Sequence, residues 1–515
     1  MTRFRKWFSG LFAVLLGLSL LVPVSHAQTS QAIRIYLDGQ WVRSDVSPYI
    51  LPKANLTMVP VRVISQGLGA SVAWTQKTKT VTIRKSGVTI VMIVGQKTAT
   101  VNGAKVPLDA PAALKSSRVT VPLRFISERL GLQVKWNPDY RWIQLISKPG
   151  HEIKGAWVST VYNLDWPSAN SYGNSDRQKE EYAALLDDLQ GMGLNAVYVQ
   201  VRPNADALYP TKLAPWSQYL TGVQGQDPGY DPLSYMLEET HRRGMEFHAW
   251  FNPFRAGTDA STAALAPEHV ALAHPDWIVN AGGKLYVNPG IPAARQHIID
   301  VIMEVVKRYP IDGVHLDDYF YPEGVEFDDE AAFRAYNPKQ LDDKGEWRRD
   351  NINDFIKKLG QSIHAAKPRL SFGISPFGVW RNRDDDPTGS DTRAGITAYD
   401  DMYADVRTWI RGNWIDYVMP QIYWSIGYSP ARYETLVEWW AREVDGSKVK
   451  LYIGHAPYKL GTEEAGWQSA DEIVAQLKYN EAFPQVRGDV FFSAKDLRRN
   501  PLNVVPALRA YYKES

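Results

Sequence analysis

Residues 311–322 read Ile-Asp-Gly-Val-His-Leu-Asp-Asp-Tyr-Phe-Tyr-Pro. An apolar run meets two adjacent aspartates, and three of the four residues that follow are aromatic. Carboxylates are costly to bury and rings are costly to expose. Both are at home on the rim of a cleft, where charge faces water and rings cover a ligand. Sugars call for that pairing: rings stack on their C–H faces, while carboxylates, amides and arginines bind their hydroxyls. Cleaving a glycosidic bond also needs carboxyls, one to donate a proton and one to act as nucleophile or base.

Strand alternation places His315, Asp317 and Tyr319 on one face and Val314, Leu316 and Asp318 on the other. The apolar side suits a helix layer, so Asp317 is expected to point inward. Asp318 joins it only if the strand ends and turns there. Two neighbours on an extended strand cannot oppose each other across a bond, so the partner acid could instead be Asp165, Asp206, Glu323 or Asp496. Other chemistries find little support. Asp384, Asp385, Asp386 and Asp391 in "RNRDDDPTGSDT" lack the spacing of a calcium loop and read as a solvated loop. The ten His show no zinc spacing, and no G-x-S-x-G elbow is present. With no cysteine, thiolate ligands and cysteine nucleophiles are excluded. No metal and no cofactor is expected.

The elements that must position these residues repeat regularly. Short β-branched or aromatic runs lie at 155–161, 195–201, 245–251, 311–317, 370–376, 415–421, 450–455 and 488–493, with helical patterns between them. That count predicts an α/β fold, a (β/α)8 TIM barrel over residues 155–510. A doubly wound open sheet is the competitor, and no glycine-rich nucleotide turn follows the first strand. In a barrel the site lies at the C-terminal strand ends. Those ends carry Asp165 and Trp166; Arg202, Asn204 and Asp206; Asn252 and Arg255 behind His248; Asp317 and Asp318; Trp380 and Arg381; Gln421, Tyr423 and Trp424; His455; and Lys495 with Asp496. Polar or aromatic residues at all eight ends are what a binding cleft requires. Trp250 and Trp424 stack on a sugar if they face inward. Aromatic residues make up 12% of the chain, enough for both a core and such a surface.

Ahead of the barrel lies a small duplicated α+β domain, expected over 33–147. "VPVRVISQGLGASVAW" (59–74) and "VPLRFISERLGLQVKW" (121–136) are one pattern used twice. Residues 28–150 carry 17 Lys and Arg against 5 Asp and Glu, a net of +12, whereas residues 151–515 carry 38 against 51. A basic module joined to an acidic one suggests attraction to an anionic polymer, with solubility as the bland alternative. Residues 1–27 have a basic start, an apolar run from Leu11 to Val22 and Ser25-His26-Ala27, the pattern of a secretory signal peptide cut after Ala27. An uncleaved anchor is the alternative. The expected setting is secreted, extracellular or wall-associated, with no stable membrane span after cleavage. The polymer would then be wall material rather than nucleic acid.

Two resemblances follow. The doubled motif resembles the copper amine oxidase N-terminal-like domain, although no His falls between 28 and 150 to suggest copper. The resemblance implies a wall-associating or spacing accessory. The segments "GAWVSTVYNLDWP", "YVQVRPNADALYPTKLAPWSQYLTG", "FHAWFNPFR", "YVNPG", "IDGVHLDDYFYP", "ISPFGVWRN" and "IDYVMPQIYW", in that order, resemble the glycosyl-hydrolase-like family ten. This implies glycoside hydrolysis, with peptidoglycan glycan strands as the leading substrate. The family's motifs fall on Arg202, Asn204, Asp206, His248, Asn252, Arg255, Asp317, Asp318, Tyr319, Gln421 and Tyr423. A more distant likeness joins strand four to the chitinase family eighteen signature: Asp312, Gly313 and Asp317 match, while Tyr319 stands where that family has its acid. If a substrate acetamido group assists catalysis, Asp317 would orient it. The alternative reading is a non-catalytic binder of cell-wall glycan, and a weaker third is a transglycosidase.

Overall fold

The computed structural model describes residues 33–146, apart from 38–39, 53–55, 63–69, 86–87, 131 and 138–140, and residues 153–514 apart from 484. The leader expected at 1–27 lies outside the described residues, and so does most of the joining segment. Among the described residues no helix is long and apolar enough to cross a membrane.

Among its described residues the N-terminal domain is small and β-rich, built from two four-stranded sheets and one five-stranded sheet. Its duplication shows in the pairing. Strand Leu56–Pro60 lies antiparallel to strand Arg118–Pro122, with Val59 opposite Val121. The two copies therefore meet at equivalent residues, about a local two-fold axis. Each copy then forms a hairpin in the same register: Trp74 faces Val81, and Trp136 faces Ile143. Val59, Ile83, Val121 and Ile126 are fully buried between the sheets.

The rest of the described chain closes a barrel of eight parallel strands. These are β1 (Ile153–Val158), β2 (Ala196–Arg202), β3 (Glu246–Phe251) and β4 (Gly313–Leu316), then β5 (Ser371–Ile374), β6 (Tyr417–Val418), β7 (Lys450–His455) and β8 (Val486–Phe491). Helices such as α1 (Ser175–Gly191), α2 (Pro232–Arg242) and α3 (Pro292–Arg308) return the chain between them. Their starts are written in the sequence. Asn174 accepts from the Arg177 N–H, and Asp231, followed by Pro232, accepts from the Ser234 N–H. Such caps contribute about 1 kcal/mol each. Tyr182, Leu185, Leu186 and Leu189 of α1 form its buried stripe, at the 3–4-residue spacing a sheet-packed helix needs.

The barrel interior mixes large rings with glycines. A Cβ on Gly373 would come within 2.2 Å of the Tyr417 ring, and one on Gly313 within 2.1 Å of the His248 ring. Glycine on one strand makes room for an aromatic ring from its neighbour, so the interior is a packed floor rather than a pore. On that floor His248 stacks on Tyr198 at 4.4 Å, and His315 lies parallel to Tyr417 at 6.0 Å. The site is built on top of it.

Candidate active site

Strand β4 ends at Leu316, so Asp317 and Asp318 leave the extended alternation that would have separated them. Both line one cleft of about 260 Å³ at the C-terminal strand ends. This resolves the parity argument: the chain turns at the first aspartate, and the second joins it.

Asp317 is held from three sides. Its Oδ2 accepts from Trp250 Nε1 at 3.0 Å and Asn252 Nδ2 at 3.1 Å, and its Oδ1 accepts from the Tyr319 N–H at 3.3 Å. Asn252 is itself fixed, because its Oδ1 accepts from the Arg255 N–H at 3.1 Å. Burial nevertheless pushes the Asp317 carboxyl up to about 6, against the nearby Arg255 charge and these donors. Asp318 goes further, to about 7. Burial is the larger cause, the Asp317 charge adds to it, and a hydrogen bond from Gln421 opposes it. A carboxyl near 7 keeps its proton for much of the time at neutral pH, as a proton donor must.

Residues around the pair are of the types that bind sugars. Trp157, Trp250, Tyr319, Tyr423, Tyr458 and Phe492 supply rings, and Gln200, Gln421, Ser159 and Ser375 supply polar groups. Arg255 reaches in from beside β3, its guanidinium 5.3 Å from the Tyr319 ring centroid and its Nε 3.0 Å from Asn204 Oδ1. Gln421 Nε2 donates to the Ser375 carbonyl at 2.9 Å, which sets its amide. Gln200 Oε1 collects the N–H groups of Thr160 and Val161 at 3.1 and 3.0 Å, shaping the loop that follows β1. Beneath them, Trp157 Nε1 donates to His315 Nε2 at 3.1 Å. Indole nitrogen can only donate, so His315 carries its proton on Nδ1, which lies 3.0 Å from Tyr417 Oη. Burial holds this imidazole neutral, well below its usual range. His315 is a strut, not a cation.

Several expected site residues serve the walls instead. Asp165 does not line the cleft: its carboxyl accepts from the N–H groups of Ser159 and Lys495 at 2.7 and 2.6 Å and from Ser493 Oγ at 2.7 Å. It stitches the loop after β1 to the segment after β8. Arg202 points away. A bulge between Gln200 and Arg202 breaks the alternation, and the guanidinium donates to the Asn252 and Pro253 carbonyls at 2.7 and 3.1 Å. Asp206 accepts from the Asn204 N–H at 2.9 Å, and Asn204 Nδ2 donates to Tyr219 Oη at 3.0 Å, so both brace the loop after β2. His248 lies in the floor against Tyr198, and its Nε2 is 3.3 Å from Glu246. Trp424 packs on Phe377 and is outside the cleft lining. Of the alternative acids, Asp496 is engaged by Ser493 Oγ at 3.2 Å, and Glu323 is exposed beyond the rim. Trp157, Gln200, Ser375, Tyr458 and Phe492 were not singled out in the sequence. For Trp157, Gln200, Ser375 and Phe492 the signal is inward parity near the tops of β1, β2, β5 and β8, which needs the strand ends to be known; Tyr458 lies in the turn after β7, where parity gives no signal.

Among the described residues no group of His, Asp and Glu is placed to hold a metal ion. The Asp-rich loop at 381–392 is paired instead: Arg381 lies 2.8 Å from Asp400 and 3.6 Å from Asp386, and Arg383 lies 3.3 Å from Asp391. A larger hollow of about 680 Å³ lies outside the barrel, beside Arg295 and Trp347, and contains no comparable pair of buried acids.

Residues 152–469 match the family described as glycosyl hydrolase-like 10, and residues 36–145 match the copper amine oxidase N-terminal domain. Glycosyl hydrolase YngK from Bacillus subtilis is 51% identical over 362 residues, covering 69% of this chain and 71% of that protein. Glycosyl hydrolase DigH from Escherichia coli K12 is 43% identical over 363 residues, covering 66% and 82%. The PgaB (BpsB) glycoside hydrolase domain from Bordetella bronchiseptica superposes with a TM-score of 0.47 at 13% identity, covering 70% of this chain and 98% of that one. The chain belongs to the glycosyl hydrolase-like 10 family and is a glycoside hydrolase that carries a copper amine oxidase N-terminal domain.

Proposed function

We propose that the enzyme is exported and cleaves the glycan strands of peptidoglycan, with Asp318 as proton donor and Asp317 as the fixed carboxylate. The observation that carries this is the pair itself: two adjacent carboxyls buried in one ring-lined cleft, the second raised above the first. A carboxyl raised this far is poised to give up a proton near neutral pH, which favours catalysis over binding alone.

Asp317 and Asp318 are the only carboxyls among the described residues that line the cleft. Adjacent residues suit a route in which the substrate supplies the nucleophile. Asp317 accepts the N–H of a 2-acetamido group and turns its carbonyl oxygen toward the anomeric carbon. That oxygen bonds to the carbon as the bond to the leaving sugar breaks, and the Asp318 proton passes to the leaving oxygen. Asp318, now ionised, takes a proton from water, and the resulting hydroxide opens the cyclic intermediate at the same carbon. The balance is one glycosidic bond and one water consumed, with both carboxyls restored. Trp250 and Asn252 keep Asp317 in place throughout. Tyr423, Tyr458 and Phe492 offer the rings for a sugar face and an acetamido methyl.

The test is hydrolysis of purified wall glycan strands by the mature chain, with stem peptides present or removed and with the N-acetyl groups intact or chemically removed. Cleavage of the acetylated strands and loss of turnover on the deacetylated ones is the expected result. Equal turnover on both would overturn the acetamido route, and no turnover on any strand would overturn the substrate.

A further inference from the structure

The N-terminal domain contains two matching grooves. The first, of about 530 Å³, is lined by Pro60, Val61, Arg62, Val72, Trp74 and Val81 of one copy and closed by Leu114, Arg118 and Val119 of the other. The second, of about 340 Å³, is lined by Pro122, Leu123, Arg124, Val134, Trp136 and Ile143 and closed by Ile50, Leu56 and Thr57. Six positions of the first groove recur 62 residues later in the second. Pro60, Arg62, Val72 and Trp74 reappear as the same residue types at 122, 124, 134 and 136, while Val61 and Val81 are replaced by Leu123 and Ile143. The closing residues correspond by strand pairing, since Ile50 faces Thr57 as Leu114 faces Val119.

Most residues shared by the two copies need no ligand to explain them. Val59 and Val121 are fully buried and paired, and Ile126 and Leu130 belong to the same core. The shared arginine and tryptophan are different. Arg62 and Arg124 are exposed, Trp136 is 43% exposed, and Trp74 is half-buried. Core packing does not require an exposed Arg beside an accessible Trp, yet both copies keep the pair and present it in a groove. An indole face stacks on a sugar ring, and a guanidinium fork grips a carboxylate. The first groove already holds one carboxylate within the chain, since Asp45 pairs with Arg118 there. The surrounding residues 28–150 carry a net charge of +12, which would draw in a polyanion.

We propose that these grooves are two equivalent binding sites for a carboxylate-bearing polysaccharide, each using one Trp as a platform and one Arg as an anchor. Two sites on one domain gain avidity from a repeating polymer that neither would have alone. Because Asp45 pairs with Arg118 in the first groove and Leu56 takes the place of Arg118 in the second, each groove presents one arginine outside that pair, Arg62 or Arg124.

The test uses the full mature chain and a soluble oligogalacturonate, a carboxylated sugar oligomer, with its methyl ester as the uncharged control. Calorimetry should give about two equivalents bound, weakened at least about tenfold by raising the salt from low to molar levels and by esterification. Arg62→Glu and Arg124→Glu lie on the surface and should each leave one equivalent; the double variant should leave none. Trp74→Ala and Trp136→Ala should repeat that pattern. The barrel's turnover of soluble wall strands should be unchanged in all of them, so failure here and failure of the proposed hydrolysis are separate results. Three outcomes would overturn the proposal: undiminished binding by the double Arg variant, equal binding of the ester, or capture by anionic phospholipid vesicles with none by the oligomer.

Discussion

Replacing Asp318 with asparagine removes a carboxyl whose ionisation the fold opposes. Its ordinary value of 3.8 is raised to about 7. At about 1.4 kcal/mol per tenfold change, the ionised form costs the native state about 4 kcal/mol. That figure is an upper bound for the variant, because the amide gives up some of the carboxyl's contacts, and about 2 kcal/mol is a realistic gain. The direction follows from linkage. The native carboxyl holds its proton more tightly than the unfolded one. Its contribution is therefore complete below pH about 4 and is lost as the pH rises through about 7. Asparagine carries no charge in that window. Urea unfolding followed by tryptophan fluorescence should show the Asp318→Asn chain more stable than wild type near pH 8, with the difference falling by about 4 kcal/mol and turning in favour of wild type toward pH 4. A variant less stable than wild type at pH 8, or a difference independent of pH, would refute the argument that burial and the Asp317 charge raise this group.

Three further outcomes follow from the same geometry. Asp165→Ala orphans the N–H groups of Ser159 and Lys495 and the Ser493 hydroxyl; thermal unfolding should show a loss of about 3 kcal/mol, and an unchanged melting temperature would contradict the stitching role. Trp250→Phe removes an indole donor from Asp317, so its carboxyl should rise from about 6 and carry the acidic limb of the kcat/KM profile upward; a limb that stays put or moves down would show that the bond does not tune this acid. Gly373→Ala drives a methyl to within 2.2 Å of the Tyr417 ring, and denaturant unfolding should register a loss of at least about 1–3 kcal/mol; a neutral result would mean that the interior is not filled as described.

The barrel was legible in the sequence because each strand is a short run of β-branched or aromatic residues set off from helical patterns. The run expected at 415–421 shrinks to the ladder Tyr417–Val418, since Pro420 cannot donate to it. Asp317 was legible from parity. Asp318 was legible only on the condition that the strand ended and turned there, because parity holds only while the strand lasts, and β4 ends one residue before the pair. The Arg202 side chain was misplaced for a related reason: a single bulge reverses a face, and nothing local in "VYVQVRP" announces it. Asp165, Asp206 and Asn204 carry the right chemistry at the right end of the barrel, yet loops that turn over a cleft need acceptors for their own N–H groups. Sequence cannot tell a carboxylate that holds a loop from one that faces a ligand. The cleft rings Trp157, Tyr458 and Phe492 were hidden because a barrel uses the same residue types for its floor as for its site, and their height along the axis depends on stagger between strands.

The most direct test of the account is the rate of soluble saccharide release from peptide-free wall glycan strands by wild type, Asp317→Asn and Asp318→Asn at neutral pH. Loss of the general acid alone should slow release about 10²–10⁴-fold, and Asp317→Asn should be at least as slow, with both chains still folded. Turnover near the wild-type rate in both variants would contradict the placing of the chemistry at this pair.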